Sequence, residues 1–102
     1  MKGKIIDPLN LVQTQEGSVV SREIIRNKSG NISIFAFDKG EGLSEHTSPF
    51  EATVQVIEGV VDITIGEEKH QLKTGELMVI PGGSPHALHA VEAFKMILTI
   101  LR

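Results

Sequence analysis

The 102 residues contain no cysteine, tryptophan or tyrosine, and only four phenylalanines. Without cysteine there is no disulfide, no thiolate metal ligand and no cysteine nucleophile, and the composition fits either redox compartment. Long hydrophobic runs are also missing. None exceeds four residues, against about 20 for a bilayer-spanning helix, and Met1 to Asp7 carries two lysines with no apolar signal-peptide core behind them. Lysine and arginine never stand next to each other, and ten of them against thirteen acidic residues give a net charge of −3. The basic footprint of a nucleic-acid binder is therefore absent. These absences predict a soluble, cytoplasmic protein with neither nucleic acid nor membrane as partner.

What is present is the composition of a folded domain, with 40% hydrophobic and 23% charged residues. The length predicts one domain over 1–102. Ten glycines and four prolines break the apolar stretches at intervals of roughly eight to twelve residues, as turns between short strands do. Strands are expected over Ser18 to Ile25, Asn31 to Asp38, Thr53 to Glu58, Gly59 to Ile65, Lys69 to Lys73, Leu77 to Ile80, His86 to Ala90 and Phe94 to Leu101. Alternation supports them: Ile32, Ile34 and Ala36 face away from Phe35 and Phe37, and Val61, Ile63 and Ile65 are separated by Asp62 and Thr64. The only helical candidate is a turn at Pro8 to Val12. Gly66-Glu67-Glu68 and Lys73-Thr74-Gly75-Glu76 read as turns, and Pro81-Gly82-Gly83-Ser84-Pro85 as a tight loop. An all-β barrel or sandwich follows.

Two segments resemble the paired motifs of the cupin superfamily. Gly40, His46, Ser48, Ala52 and Gly59 keep the spacing of its first motif, Gly, five residues, His, one, His, three or four, Glu, six, Gly. Gly75, Pro81, Gly83, His86 and Ala90 keep that of the second, Gly, five, Pro, one, Gly, two, His, three, Asn. The motifs lie at 40–59 and 75–90, joined by a link like that of small single-domain cupins. The resemblance implies a double-stranded β-helix, or jelly-roll, barrel of the RmlC-like type.

In metal-dependent cupins two histidines and a glutamate of the first motif and the histidine of the second bind one divalent ion. That donor set suits iron, manganese, nickel or zinc. Here His46 and His86 are kept, whereas Ser48 and Ala52 stand where the other two ligands belong. Glu51 and His89 have the wrong strand parity to replace them, Glu51 reaching the interior only through a bulge at Pro49. The resemblance thus implies a degenerate site, holding either no cofactor or a weakly bound divalent metal on His46 and His86.

By alternation from His46 and Ala52, Val54 and Val56 are expected to line the interior, joined by Met78 and Ile80. With Ser48 they frame a pocket for a small, largely apolar molecule with one hydrogen-bonding group, with Met96 as an adaptable wall if it points inward. Pro81 and Pro85 position His86. Glycines 40, 59, 75 and 83 are expected at turns where a side chain would clash. His70 is expected in solvent, and His89 exposed or at a subunit contact. Both faces of the Asn31 to Asp38 strand are apolar, and Phe94, Ile97 and Ile100 are assigned to further outer surface. A homodimer covering one outer face is the expected solution, as the resemblance also implies.

Three functions stay open. One is a barrel that binds a small molecule. Another is a metal-dependent dioxygenase or isomerase in which His46, His86 and waters hold the ion. The third is a non-catalytic structural dimer.

Overall fold

Nine strands form, and the computed structural model describes all residues, 1–102. A capped turn, α1 (Pro8–Leu11), leads in, with Asp7 accepting a hydrogen bond from the Leu9 amide at 3.1 Å and Pro8 opening the turn. The strands are β1 (Val19–Asn27), β2 (Gly30–Phe37), β3 (Gly42–His46), β4 (Glu51–Glu58), β5 (Val60–Ile65), β6 (Glu68–Lys73), β7 (Leu77–Ile80), β8 (His86–Ala90) and β9 (Phe94–Leu101). All pair antiparallel, as a five-stranded sheet in the order β1-β2-β9-β4-β7 and a four-stranded sheet in the order β3-β8-β5-β6. This is the expected all-β jelly roll. Its two sheets face each other without hydrogen bonds joining their edges, so the container is open rather than a sealed barrel.

The strand β3 was not among the expected ones. Only Leu43 is apolar in Gly-Leu-Ser-Glu-His, and four of its five residues are exposed at the sheet edge, so no alternation marks it. It exists because β8 supplies its ladder, pairing Leu43 with Leu88 and His46 with His86.

Between the sheets, Phe37, Val54, Val56, Ile80, Phe94 and Met96 of the larger one meet Val61, Ile63, Leu72, Leu88 and Ala90 of the smaller. Phe37 and Phe94, both fully buried, stack with ring centroids 4.5 Å apart, worth about 0.5–1.5 kcal/mol beyond burial. The apolar back of β2 is covered from within the chain: Ile34 and Ala36 pack with Val12, flanked by Leu11, Ile24, Ile57 and Ile97. Lys95 fastens this covering. It lies nearly buried on the outer face, donates to the Leu9 carbonyl at 2.7 Å and approaches Glu58 at 3.7 Å.

That packing corrects the assignment of Phe94 and Ile100 to the outer surface. Both have even parity on β9 and point between the sheets, leaving only Ile97 outside. The glycine expectation is also corrected in part. A Cβ at Gly40, Gly75 or Gly83 would meet nothing within 4 Å, and glycine is needed there for φ of +84°, +92° and +84°. Only Gly59 of the four combines positive φ with a clash. No helix is long and apolar enough to cross a membrane.

Candidate functional site

His46 ends β3 and His86 begins β8, and a register irregularity between Leu43 and His46 brings the two histidines directly opposite. Opposed positions on neighbouring strands point to the same side, so the two imidazoles meet. Their centroids are 4.2 Å apart and the rings meet edge to face, at 61°.

Both rings are held in the same way. The Nδ1 of His46 lies 2.8 Å from the Ser44 carbonyl, and that of His86 lies 2.9 Å from the Ser84 carbonyl. A carbonyl oxygen only accepts, so each Nδ1 carries the proton and donates it. In the neutral ring Nε2 is then left with a free lone pair, so each ring offers an acceptor to whatever stands beside it. Neighbouring loops brace the pair. Gly83 donates to the Ser48 carbonyl at 2.7 Å, and a Cβ at Gly82 would come within 2.6 Å of the Pro49 carbonyl. The proline loop ahead of His86 therefore rests, through Gly82 and Gly83, on the segment that follows His46.

A cavity of about 80 Å³ opens beside the two rings. At about 30 Å³ per water in the liquid, it has room for roughly three waters or the buried part of a small ligand. Nine of its twelve lining residues are apolar; the other three are His46, His86 and Ser48. Ala52, Val54 and Ile80 line it as expected, and Met96 does point inward. His86 is buried, whereas His46 is exposed and Phe50 is 39% exposed, so His46 and Phe50 mark the mouth.

Two expected lining residues are displaced. Val56 and Met78 do point between the sheets, but farther along the strands from the histidines. Val56 is fully buried opposite Met96, and Met78 packs against the core beside Val54, so both fill the interior instead of walling the cavity. Leu43, Phe50, Leu88, Leu98 and Ile100 complete the wall and were not foreseen. Parity with Met96 was the available signal for Leu98 and Ile100.

His70 and His89 stay outside the site. His70 is partly exposed, with its Nε2 3.6 Å from Glu68, and His89 is exposed. Glu51 is exposed too, and the register irregularity of β4 falls between Val56 and Glu58, not at Pro49. Alternation thus holds through Ala52.

The residues present do not fit the four-ligand metal centre that cupins use. No three histidine or carboxylate side chains converge anywhere in the molecule, and the methyl of Ala52 lines the cavity where a carboxylate would be needed. Two imidazoles fall short of the three or four protein ligands that hold a transition metal firmly.

Residues 33–100 match the Cupin_2 family model, a cupin domain. An uncharacterised protein of Aquifex aeolicus is 31% identical over 99 residues, spanning 95% of this chain and 82% of that protein. Among solved structures, a conserved Streptococcus pyogenes protein of unknown function superposes with a TM-score of 0.94 at 34% identity. That match covers 100% of this chain and 90% of the other. A cupin superfamily protein of Desulfitobacterium hafniense gives 0.92 at 24% identity, with 99% and 93% covered.

Proposed function

This chain belongs to the Cupin_2 family of cupin domains, and we propose that it binds a small, largely apolar molecule bearing a hydrogen-bond donor in the cavity between its sheets. One observation carries this reading. Two imidazoles with both Nδ1 atoms committed to backbone carbonyls, and so with Nε2 as their free acceptors, line a cavity whose other walls are almost wholly apolar. Acceptors grouped at one end of an apolar space select an orientation, with the ligand's hydroxyl or amine toward the histidines and its carbon body toward Val54, Leu98 and Met96.

Ligand-detected NMR with isoamyl alcohol as probe tests the reading. Binding is expected to weaken five- to ten-fold in His86→Ala and in His46→Ala, the loss of a hydrogen bond worth about 1 kcal/mol. His70→Ala is expected to bind as before. An unbound probe, or equal losses in all three variants, would speak for the structural-dimer reading instead. Tight stoichiometric metal in the purified protein, lost in His86→Ala, would favour a metal-dependent enzyme. A homodimer, in this account, closes over Leu77 and Val79 on the edge strand β7, both more than half exposed, because the chain itself covers the back of β2.

A further inference from the structure

The side chains lining the cavity offer a ligand acceptors and almost no donors. No lysine, arginine, aspartate or glutamate is among them. With both Nδ1 atoms donating to the Ser44 and Ser84 carbonyls, His46 and His86 bring one free acceptor each. Ser48 brings a hydroxyl, whose oxygen accepts from the Phe50 amide at 3.3 Å and whose single proton is the one donor of the lining side chains.

That balance discriminates between ligand heads. A carboxylate only accepts, and among these side chains it would find the Ser48 hydroxyl and neither lysine nor arginine. A hydroxyl has one proton and satisfies one imidazole, leaving the other unmatched beside it. A primary ammonium has three. A single nitrogen donating at about 2.9 Å to each of two acceptors bridges a gap of up to about 5.8 Å, wider than the 4.2 Å between the two ring centres. One such head can meet both rings and keep a proton for water. Its charge is tolerated because His46 and Phe50 are exposed, so the polar end of the cavity keeps contact with solvent and the cation is not fully desolvated. Glu45 and Glu51, exposed and next in sequence to His46 and Phe50, add negative charge near that end, against the guanidinium of Arg102 over the Phe50 ring.

We propose that the cavity takes small primary amines, the ammonium bridging His46 and His86 and a short branched carbon chain lying against Val54, Leu98 and Met96. This inference rests on the cavity reading and adds the chemical class of the head group to it.

Three probes with the same branched body and different heads test it: isoamylamine, isoamyl alcohol and isovalerate. They are titrated at about pH 8, above the ordinary imidazole value and below that of an alkyl amine. The wild type is expected to bind the amine about ten-fold more tightly than the alcohol, as charge-assisted hydrogen bonds allow, and isovalerate more weakly than the alcohol. His46→Ala and His86→Ala are each expected to remove most of the amine's advantage, because one ring alone gives no bridge, and His70→Ala to keep it. Amine and alcohol of equal affinity in the wild type, or isovalerate bound as tightly as the amine, would overturn the assignment while leaving the cavity reading intact, and neither result depends on a variant that folds. An advantage that survives in both histidine variants would also overturn it, since surface carboxylates and not the imidazoles would then be drawing the cation. If none of the three probes binds, the cavity reading fails and this inference fails with it.

Discussion

Gly59→Ala is expected to lower the melting temperature by roughly 20 °C, the largest effect of any single-methyl change considered for this chain. Gly59 is where the chain leaves β4 in one sheet and enters β5 in the other. It does so with φ of +89°, and a Cβ there would come within 2.1 Å of the Ala93 carbonyl oxygen and 2.7 Å of the Phe94 Cα. The left-handed backbone alone costs a non-glycine residue about 1–2 kcal/mol. The clash is with backbone rather than with a mobile side chain, so β9 has to shift at its first residue, where Phe94 stacks on Phe37. A total of about 4 kcal/mol follows, a large share of a small domain's stability. Gly66→Ala is the internal control: φ is +60° but nothing lies within 4 Å, and a drop of only about 5 °C is expected. Thermal unfolding of the two variants side by side decides the matter, and similar drops would show that the crossover tolerates a side chain.

The second large effect is a gain. Ser48 and Ala52 both line the cavity beside His46 and His86, so Ser48→His with Ala52→Glu assembles three imidazoles and a carboxylate around one point. The double variant is expected to bind nickel or zinc at least 100-fold more tightly than the wild type, about 2.7 kcal/mol. Little is lost in making it. Ser48 contributes one hydrogen bond, accepted from the exposed Phe50 amide at 3.3 Å. The new carboxylate, however, faces an apolar wall. Without ion the variant is expected to melt below the wild type, and with saturating ion above it, because burying an unpaired charge costs stability that coordination returns. Isothermal titration with nickel and melting with and without it read both signs. An ion held no more tightly than by the wild type would mean that the cavity cannot close around a metal.

Much of this architecture was legible from residue order. Alternation in Asn31–Asp38 and Gly59–Ile65 marked them as strands with opposed faces, and the cupin resemblance carried by the Gly40 to Ala90 motifs implied that His46 and His86 share one site. The parts that escaped have physical reasons. The strand β3 is polar and held by its neighbour's ladder, so no pattern of its own announces it. Val56 and Met78 have the right parity, but parity fixes only the side a residue faces and not how far along the strand the cavity reaches. Ile100 was assigned to the outside because an apolar residue near a chain's end carries no sign of what it packs against, and its place became visible only once β9 was seated between β2 and β4. The Lys95 tie to Leu9 joins residues 86 positions apart, and the covering of β2 by Val12 likewise joins separate segments, beyond the reach of any local pattern.

The central claim is that His46 and His86 act as a pair of Nε2 acceptors facing a ligand cavity. Nitrogen-15 NMR of the four histidines, free and with isoamyl alcohol, tests it most directly. The account predicts a proton on Nδ1 of His46 and His86, donated to the Ser44 and Ser84 carbonyls, and Nε2 shifts that move on these two alone as the probe is added. Nε2-protonated rings at both positions, or shifts that appear equally at His70 and His89, would contradict it.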